Sequence, residues 1–356
     1  MNNPGGSTLR HRTGHQIDSD AHAKGEEGVA IILVILVISL ASILVVNLTY
    51  TASLEARSNL VVERGLKAEY LLKSAVSFAQ ALIRADVTPD VDGVQDVWAQ
   101  FHEGSVIPLS LLGIDDPALT IEVEIRPVES KIPLRQLATN KKWRDILSRL
   151  FQKLGFDDDK EEDQTGLLSG RILKSHDLVA ALIDYMDHDN KSFRSDDFPG
   201  IGIEESLPEG TFPNENIRRI AELSSIPGFT PARIRLLTPF VRGARGGTTI
   251  NINLAPAIVL RSLDEDLDEG QVQQIDDFRR SAEGPFGEKG AKLKEDLNEL
   301  IGKDLADKIS WALDSDSRYF QVIAKVDYGT STYFMRAYLS QRRDTQLPNI
   351  QSVELF

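Results

Sequence analysis

The sequence predicts an α+β protein: a long N-terminal helix packed on a small antiparallel sheet, with a large all-α insert inside the sheet. Three observations predict it. Residues 29–48 carry no charge, no proline and no glycine, and Ser39, Ser42 and Asn47 are their only polar side chains. Apolar residues then recur at helical spacing as far as Ile83, again without proline. Two strand patterns, at 119–126 and 318–339, stand on either side of a long stretch of helix and turn signals.

At 1.5 Å rise per residue, residues 29–48 reach roughly 30 Å, the hydrocarbon thickness of a bilayer. A helix lying in water needs a polar side, and this one has none. Beyond it, Leu54, Val61, Leu66, Leu72, Val76 and Ile83 mark an apolar stripe, with Glu55, Arg57, Glu63 and Lys67 among the charged residues between. One continuous helix is expected from Val29 to about Arg84. Its first third sits in lipid and its remainder lays the stripe on a soluble domain. Asp86-Val-Thr-Pro89 ends it.

Residues 1–28 are polar and mixed in charge, and read as a disordered cytoplasmic leader. Its histidines, His11, His15 and His22, lack a regular ligand spacing. After Pro89 a loop with a short helix around Trp98 is expected. Residues 119–126 alternate apolar and polar strictly, as a half-buried strand does, and Pro127 ends it. Residues 140–154 read as an amphipathic helix and 156–170 as an acidic, solvated linker. Helices follow at 177–186, 276–286 and 291–313. Asn253 is placed to cap a helix beginning near Pro256. The strands at 318–327 and 331–339 form a hairpin around Asp327-Tyr-Gly329-Thr and pair with the 119–126 strand. Residues 342–356 read as a loose tail.

The 356 residues suffice for two or more domains, and their formal net charge is -14. That balance argues against binding a phosphate backbone and suits a solvated surface or a divalent cation. The absence of cysteine excludes disulfides, thiolate metal sites and Cys nucleophiles. No serine sits in a nucleophile-elbow pattern, and nothing fixes a carboxylate pair in one pocket, so no enzyme is expected. The segment Asp184-Tyr-Met-Asp187-His-Asp189-Asn190 supports two readings. It is a capped, solvated acidic turn, or a gathering of oxygen donors for a hard cation, which takes roughly six to eight of them. The twelve-residue calcium-loop spacing is absent.

The apolar run begins abruptly after Gly28 and passes without a linker into an amphipathic stretch. Both features resemble type IV pilin-like proteins, whose prepilin peptidase cuts after a glycine; here that implies cleavage between Gly28 and Val29. Glu26-Glu27 stand where a basic residue is usual. Most such proteins carry a glutamate at the fifth mature position, where this chain has Leu33. The K subunits of type II secretion typically lack that glutamate. Residues 128–135, Val-Glu-Ser-Lys-Ile-Pro-Leu-Arg, are similar to the segment by which K subunits enter their helical insert, with Pro133 and Arg135 in place of asparagines. Residues 182–190, Leu-Ile-Asp-Tyr-Met-Asp-His-Asp-Asn, match a K-subunit signature. The elements at 213–230 and 250–260, ending in Ile226-Pro-Gly-Phe-Thr230 and carrying Ile250-Asn-Ile-Asn-Leu-Ala255, are similar to two more.

The chain thus resembles the minor pseudopilin K of type II secretion systems, the general secretion pathway protein K family. The resemblance implies a leader (1–28), a transmembrane helix (29–48), and a pilin-like domain in two parts (49–130 and 316–356). Between these lies a helical insert (131–315) with two units of SAM-like or helix-hairpin-helix-like form. It implies calcium in the insert, with Asp184, Asp187, Asp189 and Asn190 as candidate ligands. The family often follows these with Gly-Ala-Glu; Gly200-Ile-Gly-Ile-Glu204-Glu205 matches only loosely, so further ligands stay unassigned. It also implies a single-pass inner-membrane protein with a cytoplasmic N-terminus, methylated after cleavage by the prepilin peptidase. The partners implied are the minor pseudopilins I and J, other pseudopilins and membrane lipid. A subunit without the glutamate does not neutralise the amino terminus of one above it, which suits the pseudopilus tip.

The rival reading is a membrane-anchored DNA-uptake protein, because Asn-Ile-Asn and Phe278-Arg-Arg-Ser-Ala-Glu-Gly-Pro-Phe286 also look like helix-hairpin-helix modules. Those need a Gly-x-Gly hairpin whose amides approach a phosphate. Here Gly228 is followed by Phe229-Thr230. The second hairpin reads Asp264-Glu-Asp-Leu-Asp-Glu-Gly270, whose acids repel phosphate. No nucleic-acid partner is expected.

Overall fold

The computed structural model of the protein describes residues 19–88, 90–158, 160–168, 170–287, 290–341 and 347–356. The chain divides into two units, Met1–Lys67 and Ala68–Phe356, and helix α1 (Ser19–Arg84) has residues in both. Most of the expected leader, with His11 and His15, lies outside the described residues. From Ser19 the backbone is helical, where an unstructured segment was expected.

In the first unit, every residue from Gly28 to Arg64 is exposed. The most apolar 18-residue window of α1 has a mean hydropathy of 3.4, and among the described residues α1 alone is long and apolar enough to cross a membrane. Where the apolar run gives way to polar residues, Thr49, Thr51 and Ser53 each donate a hydroxyl hydrogen to the carbonyl four residues earlier, at 2.8–2.9 Å. These hydroxyls are satisfied within the helix itself.

The second unit contains a five-stranded antiparallel sheet in spatial order β1 (Ser105–Val106), β2 (Leu119–Pro127), β3 (Tyr319–Tyr328), β4 (Ser331–Ser340) and β5 (Asn349–Leu355). Alternation in β2 buries Leu119, Ile121, Val123 and Ile125, and β3 aligns Val322, Ala324 and Val326 beside them. Ala68, Leu72, Ala75, Val76, Ala79 and Ile83 of α1 pack in the same core. Leu72 and Ile83 are fully buried, each worth about 1.5–3 kcal/mol, so the apolar stripe holds the end of α1 on the sheet. The hairpin turns through Gly329, whose φ of 64° is open to glycine at no steric cost.

The expected loose tail is instead β5 for residues 349–355; residues 342–346 lie outside the described set. A bulge hides it in the sequence. Tyr338 faces Ser352 while Leu339 faces Ile350, so Gln351 is an extra residue that breaks the apolar alternation.

A second core occupies residues 132–313. Its helices are α2 (Lys141–Lys153), α3 (Ser175–Met186), α4 (Pro231–Leu237), α5 (Ala257–Leu260), α6 (Glu269–Arg280), α7 (Ala291–Ile301) and α8 (Lys303–Ile309). Asn140 caps α2 by accepting from the Lys142 N–H at 3.0 Å, and Asp268 caps α6 in a reciprocal box with Gln271. That box starts α6 earlier than the expected helix at 276. The single helix expected over 291–313 is two, because Gly302 adopts φ 86° between α7 and α8.

Asn253 does not cap α5. It is fully buried, and its side chain donates to the Phe286 carbonyl and accepts the Phe286 N–H at 2.8 Å. Asn251 accepts the Asn253 N–H and donates to Asp92 O, Ser315 O and Ser317 Oγ. The Asn-Ile-Asn motif therefore satisfies backbone groups from three distant segments. The acidic linker is also less solvated than expected. Asp157 accepts the Ser175 N–H, Asp163 accepts from Leu168 and Gly228, and Glu161 bonds Thr230.

Trp98, in a short 3-10 helix, closes the sheet core with its ring edge-on to Phe320 at 5.0 Å between centroids. It is fully buried, yet its Nε1–H has no acceptor among the described residues. Trp98→Ala is expected to cost about 3–5 kcal/mol in urea unfolding of the detergent-solubilised chain. Trp98→Phe is expected to cost clearly less, because it removes an unsatisfied donor along with the lost volume. Equal costs for the two would contradict this account of the site.

Candidate metal centre

Helix α3 ends at Met186 with Asp187 as its C-cap, and the loop from 187 to 214 folds back over that end. Asp184, one turn earlier, is completely buried. Its Oδ1 accepts the Phe193 N–H at 2.6 Å, and its Oδ2 accepts the N–H groups of Ile203 and Glu204 at 2.5 and 2.9 Å. Burial pushes this carboxyl up, and the three amides pull against it. A Cβ on Gly202 would overlap the Asp184 carboxylate, so glycine is needed there for the loop to reach it. Asp184 is therefore the anchor of the loop, and it stands apart from the acidic cluster described next.

That cluster is Asp187, Asp189 and Glu204, whose carboxylate oxygens lie within 4.8 Å of one another. Burial, then repulsion from Asp189 and Asp184, raises the Asp187 carboxyl to about 6. Burial, then repulsion from Asp184, Asp187 and Asp189, raises Glu204 to about 7. Asp187 Oδ1 and Glu204 Oε2 are buried with no donor among the described residues, and so is Asn214 Oδ1. Asn214 adopts φ 52°, and its amide donates to Asp189 O and Asn190 Oδ1 at 2.9 and 3.0 Å. Several oxygen acceptors without donors, crowded and raised in pKa, form a donor set suited to a hard divalent cation.

Of the four sequence candidates, the structure brings Asp187 and Asp189 together. It gives Asp184 to backbone amides and Asn190 to the Asn214 side chain. Glu204 and Asn214 escaped the sequence reading. The signal for Glu204 was present, because Gly202-Ile-Glu204 fills the place of the family's Gly-Ala-Glu. His188 is exposed and lies 3.2 Å from the Asn214 carbonyl through Nδ1. Gly28 and Val29 are exposed positions on α1.

A second acidic group, Asp86, Asp92 and Asp96, lies beyond the end of α1. Asp92 is buried and accepts the Ser317 N–H, and burial raises it to about 9. Asp96 accepts the Gly93 N–H, and Asp86 that of Thr88. These bonds tie the segment after α1 to itself and to the start of β3. At the two candidate hairpins, Gly228 has φ 86° against Leu173 and Leu178, and Asp264 and Asp266 both pair with Lys308.

No protein-family model matches the chain. It is 24% identical over 330 residues to the type II secretion system protein K of Pseudomonas aeruginosa, which covers 91% of each chain. It also resembles a chain of the crystal structure of the GspK-GspI-GspJ complex from the enterotoxigenic Escherichia coli type 2 secretion system. That likeness has a TM-score of 0.57 at 16% identity, and it covers 83% of this chain and 97% of that one. At such identity the structural likeness speaks for the fold, a long N-terminal helix with an antiparallel sheet and many helices. With the relative matched nearly end to end, the chain is similar to type II secretion system protein K over almost its whole length.

Proposed function

We propose that this chain is a membrane-anchored minor pseudopilin that joins the I and J subunits, and with them other pseudopilins, in a complex at the pseudopilus tip. Its work is assembly in support of protein export across the outer membrane, not catalysis. The observation that carries the reading is the construction of α1. An uncharged span at 29–48 has Leu33 where related subunits have a glutamate, and the same helix ends as the core partner of the sheet. The solved complex it resembles contains proteins named GspK, GspI and GspJ, which supports the choice of partners. On this reading residues 29–48 lie in the inner membrane, residues 1–28 are cytoplasmic, and the domains beyond are periplasmic. A prepilin peptidase removes the leader after Gly28, and the new N-terminus is methylated. N-terminal sequencing of membrane-extracted protein, with and without co-expressed prepilin peptidase, tests this. A start at Val29 only with the peptidase is expected; an intact N-terminus in both, or cleavage after residue 48, would sink the proposal.

Calcium is the cation we assign to the cluster, held by Asp187, Asp189 and Glu204 with the Asn214 side chain beside them. It would neutralise the crowded carboxylates and pin the loop over the end of α3. The sign of the pH effect follows from the raised values. Without a cation, Asp187 and Glu204 hold protons more tightly when folded, so the cluster lowers stability as pH rises from about 4 to about 7. A bound cation displaces those protons, so its affinity grows over the same range. Calcium is therefore expected to raise the thermal midpoint at pH 8 by roughly 5–10 °C at a hundredfold excess over Kd. The gain should shrink towards pH 5 and vanish in Asp187→Asn/Glu204→Gln. Melting curves in calcium and in chelator that coincide at pH 8 would refute the assignment.

A further inference from the structure

The chain is acidic overall, yet one pocket of about 370 Å³ between the sheet and the insert has many more cations than carboxylates in its lining. Lys131 follows the 3-10 turn Val128–Ser130 by which the chain leaves the sheet, Arg219 and Arg245 sit on the insert, and Arg336 on β4. Glu354 of β5 is the one carboxylate lining it, and Arg219 and Arg336 share it at 3.1 and 3.5 Å. Among the described residues, Lys131 and Arg245 pair with no carboxylate. Lys131 donates to the Thr238 carbonyl at 2.9 Å, and the Arg245 guanidinium lies over the Tyr338 ring at 3.9 Å. Arg336 adds a second deficit, since its Nε–H is buried with no acceptor. The crowding shows in Lys131, whose ammonium falls to about 8 through burial and the nearby charges of Arg126 and Arg336.

We propose that this pocket is an oxyanion site that takes the carboxylates of an acidic peptide segment from a partner protein. The charge count calls for it: six cations line the pocket against one carboxylate, and of the six only Arg218, on Glu215, and Arg242, on four backbone carbonyls, are fully engaged elsewhere. Glu354 already shows the chemistry, a strand-borne carboxylate held between Arg219 and Arg336. The pocket is larger than a single phosphate needs, and Val128, Ile220 and Ile234 give it apolar wall that suits a peptide. It also borders β5, the last strand of the sheet, beside which an extended segment can lie. Arginine forks are the usual means of holding such oxygens. A ligand there would bridge the insert to the sheet.

The test uses the full chain in detergent at low ionic strength, titrated with a fluorescent tetraglutamate peptide and separately with inorganic phosphate. Saturable peptide binding is expected, weakened tenfold or more in Lys131→Met/Arg245→Gln. Lys294→Gln, which lies outside the pocket and whose ammonium pairs with Asp307 at 2.5 Å, should change it less than twofold. Arg245→Gln alone, on a loop, keeps the test valid if the double variant fails to fold. Phosphate should displace the peptide only weakly. Saturable phosphate binding tighter than the peptide's would overturn the peptide assignment in favour of a free phosphate ion. Absence of saturable binding by either ligand, or peptide binding unchanged in the variants, would overturn the site.

Discussion

The structure depends on how the chain leaves one core and returns to it. It exits the sheet at Pro127, builds a separate helical core, and re-enters at β3, so the crossing point must satisfy buried polar groups from both passages. Glu129 and Arg242 do this. Glu129 is 4% exposed; its carboxylate accepts the N–H of Gly247 on the insert and that of Tyr319 at the start of β3. Arg242, 3% exposed, donates to the carbonyls of Lys131, Arg245, Gly247 and Thr249. Burial raises the Glu129 carboxyl, and Arg242 opposes that rise. Two buried opposite charges are weak evidence of stability in themselves. Here their hydrogen bonds to backbone groups fix which loop meets which strand end, and so seat the insert on the sheet.

The same constraint explains why some motifs were legible in order but not in purpose. Residues 128–135 read as an entrance to the insert, and they are one, because Glu129 and the short pairing of Ile132–Pro133 with Val241–Arg242 form its neck. Asn253 read as a cap, since asparagine before a proline-led helix is well placed to be one, and Asn251 read only as part of the same motif. Their partners at 92, 286, 315 and 317 are far away in sequence, and no local rule points to them. The regular elements were legible where burial imposes a strict period, as in β2 and α2. They were lost where one residue breaks that period, as Gln351 does in β5 and Gly302 does between α7 and α8.

The acidic site divides in the same way. Asp187 and Asp189 were legible because one helix end presents both. Glu204 and Asn214 come from loops whose path is set by the buried Asp184 carboxylate. Asp184 looked like a ligand because it shares a motif with ligands, but three amides use its lone pairs. Its role is one step removed: it brings the Glu204 backbone to the helix end, and Gly202 gives it room. An acid that organises a loop and acids grouped as a candidate cation site are indistinguishable by residue type. They are told apart by burial and by the donors that face them.

The helix α1 shows what a single chain leaves unfinished. In Ala68–Phe356 its stripe is covered, with Leu72, Ala75 and Ile83 inside the sheet core. In Met1–Lys67 the stripe continues through Leu54, Val61 and Leu66, each about half exposed or more among the described residues. The Glu63–Lys67 pair at 3.0 Å sits on this surface and is worth only a few tenths of a kcal/mol. Propensity and such pairs are too weak to explain a helix of this length holding apolar residues in water. On the assembly reading, neighbouring helices supply the missing cover, just as lipid does for residues 29–48. On that reading the sequence of α1 changes with its medium: apolar all round at 29–48 for lipid, then apolar in one stripe among charges for partner helices and the chain's own sheet.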